Sequence, residues 1–157
     1  MEHALDITLT VNGQEVTRRV APRTHLVDFL RDELGLTGSH IGCEHGVCGA
    51  CTVRVSGDIV RGCLMLAVQA NGCRVETIEG LSDSGELAAL QKTFHERNAL
   101  QCGFCTPGML MAAQDLVKQN RKCSREEIRE HISGNYCRCT GYQAIVDAIE
   151  EVVNGKG

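Results

Sequence analysis

The 157-residue chain has no tryptophan, only two tyrosines and three phenylalanines, and two prolines. Five aromatic rings (Phe29, Phe94, Phe104, Tyr136, Tyr142) are too few for a base-stacking platform or an aromatic sugar-binding shelf. Positive charge is not in excess: 16 Lys and Arg stand against 20 Asp and Glu, a net −4, and the basic residues are scattered rather than gathered into a stripe. Nucleic acid is therefore not an expected partner. No apolar run approaches the roughly 20 residues that a membrane span requires. Residues 1–6, Met-Glu-His-Ala-Leu-Asp, lack the cationic start and long apolar segment of an export signal, so the chain is expected in the cytoplasm. A glycine-rich phosphate loop, an H-E-x-x-H pair and any spacing suited to a Ser/His/Asp or Cys/His nucleophile are missing as well. Bond-making chemistry must lie outside this chain, and no catalytic residue is assigned.

What is abundant is cysteine, with ten residues. In a reducing compartment clustered cysteines hold metal more often than they pair as disulfides. Two sets of four emerge: Cys43, Cys48, Cys51 and Cys63, then Cys102, Cys105, Cys137 and Cys139. Cys73 and Cys123 are left over and are expected to fill small apolar sites or to lie exposed and inert. The first set, C-x4-C-x2-C followed by Cys63, has the spacing of a plant-type 2Fe-2S ferredoxin, and Gly42, Gly46 and Gly49 let the chain wrap closely around such a cluster. A four-cysteine zinc site is the competing reading, although zinc ribbons usually pair two short knuckles rather than crowd three cysteines into one loop. A Rieske arrangement using His45 lacks the second histidine it needs, so His45 reads as a solvated loop residue. In the second set each cysteine pair precedes a helix start. Thr106 is a candidate N-cap with Pro107 at the first helical position, and Thr140 a candidate N-cap with Gln143 as its capping-box partner. Two helix N-termini would then favour added negative charge at one site. Zinc is the alternative here too. The other histidines (His3, His25, His40, His95, His131) read as surface or helix-face residues, and Met65, Met109 and Met111 as core.

Periodicity predicts an α+β chain. Leu5 to Val11 and Gln14 to Val20 form a hairpin about Asn12-Gly13, and Thr24 caps a helix carrying Leu26, Phe29, Leu30 and Leu34 that Gly35 ends. Thr52 to Val55 and Ile59 to Arg61 make a second hairpin, with a last strand at Arg74 to Ile78. Residues 79–85 are small and polar and read as a linker. Beyond them the pattern is helical: Glu86 to Asn98, Pro107 to Asn120, a helix opened by the Ser124-x-x-Glu127 capping box and stopped at Gly134, and one carrying Ile145, Ile149 and Val152. The expected domains are 1–80, a plant-type 2Fe-2S ferredoxin-like domain, and 81–157, a helical 2Fe-2S-binding domain built as a small helix bundle. Two one-electron centres with no other chemistry describe an electron relay.

The segments 42–52, 101–108 and 133–142, taken together, resemble the iron-sulfur subunit of the xanthine dehydrogenase family of molybdenum hydroxylases, from about Leu5 to Val152. The resemblance implies a ferredoxin-like β-grasp domain followed by a C-terminal four-helix bundle. It further implies that Cys43, Cys48, Cys51 and Cys63 hold the cluster farther from molybdenum, and Cys102, Cys105, Cys137 and Cys139 the nearer. Gln101 and Cys139 would lie beside a molybdopterin, of the cytosine dinucleotide type, bound by a separate large subunit. Electrons would pass from there through both clusters to FAD on a medium subunit, in a heterotrimer that could pair into a dimer of heterotrimers. Glu44 to Val47 differ from the Glu-Gly-Glu loop common in relatives. The competing readings are a free-standing two-cluster ferredoxin and a zinc-bound interaction module. Substrate and final electron acceptor are not encoded in this chain.

Overall fold

Alternation along β1 (Leu5–Val11) puts Ile7, Leu9 and Val11 on one side, and the computed structural model, which describes residues 3–155, buries all three. Asn12 and Gly13 take left-handed φ of 49° and 82°, the two-residue turn that suits strand twist, and return the chain as β2 (Gln14–Val20). β3 (Thr52–Val55) and β4 (Asp58–Arg61) repeat the device across Ser56 and Gly57, so β4 begins one residue earlier than periodicity suggests. β5 (Arg74–Glu76) inserts between β1, which it parallels, and β3, which it opposes. The result is a mixed five-stranded sheet in the order β2-β1-β5-β3-β4.

The helical segment after β2 packs on this sheet, and it departs from expectation. It starts as α1 (Leu26–Asp28), with His25 rather than Thr24 as the N-cap, and widens into a π-helical turn over Phe29–Glu33. Thr24 stays outside because its carbonyl accepts the Ala67 N–H at 2.8 Å and its own N–H donates to Ala21. Leu26, Phe29 and Leu30 still reach the core formed with Ile7, Leu9, Val53 and Val75, and Leu34 packs at its margin.

The stretch expected to be a linker is instead α2 (Ile78–Asp83). Its small polar residues are contact residues: Glu79 accepts the Gly38 N–H at 2.7 Å, a Cβ at Gly80 would collide with Asn12, and Leu81 enters the second core. That core gathers α3 (Ala88–Glu96), α4 (Thr106–Lys118), α5 (Arg125–His131) and α6 (Gln143–Asn154) around Leu90, Phe94, Met109, Met111, Ile128, Ile145 and Ile149. The Ser124 capping box is present in full, with Glu127 N–H donating to Ser124 Oγ at 3.2 Å and Ser124 N–H to Glu127 Oε2 at 2.7 Å. Among the described residues no helix is long and apolar enough to cross a membrane.

The halves meet across β3, which α4 covers on the face away from the first core. Both faces of this strand are therefore buried, so Val53 and Val55 fill one core while Thr52 and Arg54 lie toward the other half. The Arg54 side chain is fully buried; it donates to Glu86 at 2.8 Å and makes a longer 3.5 Å contact with Glu76, while Lys118 stands 3.3 Å from Glu86. Burial alone would raise the Glu86 carboxyl, but the Arg54 hydrogen bond and charge, with help from Lys118, hold it below the usual carboxylate range. A group held lower in the folded chain adds stability that is present above its unfolded value and is lost as pH falls through its folded one. Glu86→Gln is expected to cost about 3 kcal/mol at neutral pH, because it strips the main partner from a buried guanidinium. In urea unfolding the gap from wild type should narrow as pH falls toward and below the ordinary carboxylate range; a gap that stays constant with pH would contradict the ion-pair account.

Candidate metal centres

The loop between the π-helical turn and β3 carries three cysteines of the first set, and Cys63 enters from the turn after β4. Left-handed φ values at Glu44 (58°), Gly46 (81°) and Gly49 (77°) curl this loop back on itself. Cys43 Sγ accepts the N–H groups of Val47 at 3.3 Å and Cys48 at 3.4 Å, while Cys51 Sγ accepts that of Cys63 at 3.4 Å. The backbone donors of Cys48, His45 and Val47 lower the Cys43 thiol to about 6. Burial, then the neighbouring Cys51 thiol, push Cys63 up to about 11. Cys51 and Cys63 are buried and Cys43 and Cys48 half-buried, whereas His45 lies exposed with Nδ1 at the Cys43 carbonyl.

The second set comes from two loops. Cys102 and Cys105 lie between α3 and α4, Cys137 and Cys139 between α5 and α6. Cys102 Sγ stands 3.5 Å from Cys139 Sγ, and the Cys137 thiol acts on Cys105. Burial, then the Cys137 thiol, push Cys105 up to about 12. The Cys137 thiol is lowered in spite of its burial, by the Thr140 hydroxyl and by the Thr140 and Cys139 backbone. Cys102 is lowered by the Phe104 N–H and the Cys139 thiol. Gln101 is exposed, and its Nε2 donates to the Cys139 carbonyl at 3.0 Å, so the two residues expected to face a pterin do lie side by side.

The helix starts differ from the expected ones. The first intrahelical bond of α4 runs from Met109 N–H to the Cys105 carbonyl at 3.0 Å, making Cys105 the N-cap and Thr106 the first helical residue. At α6 the N-cap is Tyr142, in a left-handed conformation at φ 69°, and the Thr140–Gln143 capping box does not form. Thr140 Oγ1 is engaged elsewhere: it accepts the Tyr142 N–H and donates to Cys137 Sγ, each at 3.1 Å. A helix N-terminus thus abuts the second set directly at Cys105, while α6 begins farther off.

A polar knot that spacing did not reveal joins the two sets. The Tyr136 N–H donates to the Cys48 carbonyl at 2.8 Å, which puts the residue before Cys137 in contact with the first loop. Asn135, 3% exposed, donates from Nδ2 to the Gly49 carbonyl at 3.1 Å and approaches Thr52 Oγ1 at 3.4 Å. Arg61 spans the same seam, donating to Thr52 Oγ1 at 2.6 Å and to the Gly134 carbonyl at 2.8 Å. A Cβ at Gly108 would overlap the Gly49 carbonyl oxygen, and one at Gly49 would lie 2.5 Å from the Gly134 oxygen, so three chain segments touch here through backbone alone. Nearby, His40 Nδ1 meets the Phe104 carbonyl at 2.7 Å and its ring stacks on Phe104 at 4.7 Å. His40 is thus part of the seam rather than a plain surface residue. Asn135 lies inside the motif 133–142, but a loop asparagine before a cysteine pair carries no sequence signal of its own. Of the leftover cysteines, Cys123 is buried beneath Asn154, which bonds both its N–H and its carbonyl at 2.9 Å, and Cys73 is half-buried at the edge of the first core.

Among the described residues no three His, Cys, Asp or Glu side chains gather closely enough to hold a metal ion. The eight thiols act on one another in pairs instead: Cys102 and Cys139 are in contact at 3.5 Å, and Cys48 shifts the ionisation of Cys43, Cys51 that of Cys63 and Cys137 that of Cys105. Within a set the pairs feel each other's charge, as Cys43 acts on Cys63 and Cys102 on Cys105. Two thiol pairs, with backbone N–H groups aimed at their sulfurs, fit a 2Fe-2S cluster, which takes four thiolates shared between two irons.

Two family models match the chain: a 2Fe-2S iron-sulfur cluster binding domain over residues 9–74 and a 2Fe-2S binding domain over residues 77–150. The gamma subunit of caffeine dehydrogenase from Pseudomonas sp. strain CBB1 is 58% identical over 149 residues, covering 93% of this chain and 89% of its own. The xanthine dehydrogenase iron-sulfur-binding subunit of Escherichia coli O157:H7 is 41% identical over 153 residues, covering 95% and 96%. Among solved structures, quinoline 2-oxidoreductase from Pseudomonas putida 86 superposes with a TM-score of 0.90 at 53% identity, over 96% of this chain and 93% of that one. With that mixed sheet, those six helices and these relatives, the chain belongs to the 2Fe-2S iron-sulfur subunits of the xanthine dehydrogenase family of molybdenum hydroxylases, and is an oxidoreductase component.

Proposed function

We propose that this chain is the two-cluster electron relay of a three-subunit molybdenum hydroxylase. In this reading Cys43, Cys48, Cys51 and Cys63 hold one 2Fe-2S cluster within a β-grasp domain ending near residue 80. Cys102, Cys105, Cys137 and Cys139 hold the other at one end of a four-helix bundle. A bound 2Fe-2S cluster supplies a one-electron couple. The protein's part is to hold thiolates in place, to aim N–H donors at their sulfurs and to keep water from Cys51 and Cys63. Gln101 and Cys139 would face molybdopterin, of the cytosine dinucleotide type, on a large subunit, and the first cluster would face FAD on a medium subunit. A chain that needs eight reduced thiols suits the cytoplasm.

The observation that carries this reading is the Tyr136 N–H bond to the Cys48 carbonyl, 2.8 Å long. It joins a residue of the first set to the neighbour of Cys137 in the second. A shuttling ferredoxin needs one cluster; two sets locked in a fixed mutual arrangement suit a wire between two larger partners. The second set is also open on one side, since Cys102, Cys139 and Gln101 are exposed beside Leu100 and Phe104, whereas the first set hides Cys51 and Cys63. Caffeine, xanthine and quinoline, named in three of the relatives, are nitrogen heterocycles, which supports a partner substrate of that class.

Tagging this chain in its own host and analysing the recovered complex should give molybdenum, FAD and roughly four irons per copy of the chain, since each cluster holds two. The complex should oxidise nitrogen heteroaromatics in preference to simple aldehydes. Iron without molybdenum or flavin after gentle handling would favour the independent ferredoxin, and a colourless zinc protein would refute both. Cys137→Ser should abolish one EPR signal and electron flow to the acceptor while the other signal survives. Two intact signals in that variant would overturn the assignment of ligands.

A further inference from the structure

Thr140 stands where a capping residue is expected and does something else, and what it does bears on the second centre. Three hydrogen bonds close a ring about Cys137. Its N–H donates to Tyr142 Oη at 2.9 Å, the Tyr142 N–H donates to Thr140 Oγ1 at 3.1 Å, and Thr140 Oγ1 donates to Cys137 Sγ at 3.1 Å. A hydroxyl has one proton to give. With the Tyr142 N–H occupying an acceptor lone pair, that proton is free for the sulfur. The ring requires Tyr142 at φ 69°, a left-handed conformation that is costly for a bulky side chain and persists only where its surroundings enforce it. Here the reversal of chain direction brings the Tyr142 hydroxyl back over the Cys137 amide. Thr140, Cys137 and Tyr142 are all half-buried, so water competes weakly for these groups.

We infer that Thr140 is a positioning and tuning residue that raises the reduction potential of the centre held by Cys102, Cys105, Cys137 and Cys139, acting through its O–H bond to the Cys137 sulfur. The inference rests on the cluster reading proposed above. One-electron reduction adds negative charge that the ligand sulfurs share, and a donor aimed at sulfur favours the reduced state over the oxidised one. At the first set the sulfur donors described are backbone N–H groups, from Val47 and Cys48 to Cys43 and from Cys63 to Cys51, which side-chain substitution leaves in place. The donor at Cys137 resides in a side chain, so sequence can adjust the second potential independently of the first.

The test is a dithionite titration of the purified complex, followed by EPR, for wild type, Thr140→Val, Thr140→Ala and Thr140→Ser. The expected result is that Val and Ala move one signal's midpoint downward by about tenfold in its reduction equilibrium, about 59 mV for a one-electron couple. The other signal stays in place, iron content is unchanged, and Ser restores the wild-type value. A purely structural role for Thr140 would leave both midpoints alone. Unmoved midpoints in Val and Ala with full iron content would therefore overturn the inference while leaving the cluster reading intact. Loss of the second signal in Val and Ala, with its retention in Ser, would also overturn it, since the hydroxyl would then serve to hold the centre rather than tune it. A wild-type complex without 2Fe-2S signals would refute the cluster reading itself.

Discussion

The amide of Asn135 is the point on which the two halves of the molecule are registered. It reaches out of the helical half to the Gly49 carbonyl, between the cysteines at 48 and 51, while the next residue's N–H takes the Cys48 carbonyl. Among the described residues no other hydrogen bonds connect the two cysteine sets so directly. Gly49 and Gly108 bring three backbone segments together where a Cβ would intrude, and a Cβ at Gly134 would crowd the Arg61 guanidinium. An unpaired buried carbonyl costs about 1–3 kcal/mol, so the amide and the surrounding glycines support one another.

The sheet and the helices serve this seam. β3 runs directly out of the first cysteine loop and is buried on both faces, so the loop is anchored to a strand that cannot shift without disturbing two cores. Arg54 and Glu86 secure one end of that strand to the start of the helical half, and Arg61 with Thr52 secures the other end next to Asn135. Charge in the interior is costly unless paired, and here it is spent where the halves join. The cysteine loops can then be irregular without being loose.

Much of this was readable in sequence, and what was missed shares a physical origin. The hairpins about Asn12-Gly13 and Ser56-Gly57, the Ser124 capping box and the apolar stripes of α3, α4 and α6 follow from local chemistry, which sequence reports well. The two cysteine-bearing segments matched by 2Fe-2S family models stand out by their spacing alone. Residues 79–85 read as a linker although α2 occupies Ile78–Asp83, because Glu79 bonds to Gly38 in the other half and such a contact leaves no periodic trace. Thr140 read as a cap because a threonine before a glutamine three residues on has that pattern; the nearby cysteine sulfur and the Tyr142 amide outcompeted the helix for its hydroxyl. Asn135, Arg61 and Arg54 were invisible as seam residues for the same reason, since each acts across more than twenty positions of sequence.

The seam at Asn135 fixes how the two cysteine sets sit relative to one another. The most direct measurement is the spin–spin interaction between the two proposed clusters when reduced, read by low-temperature EPR in wild type and Asn135→Leu with iron content matched. The account predicts altered or lost splitting in the variant, with both individual signals present. Splitting identical to wild type would contradict it, and would mean that the two halves hold their register without this amide.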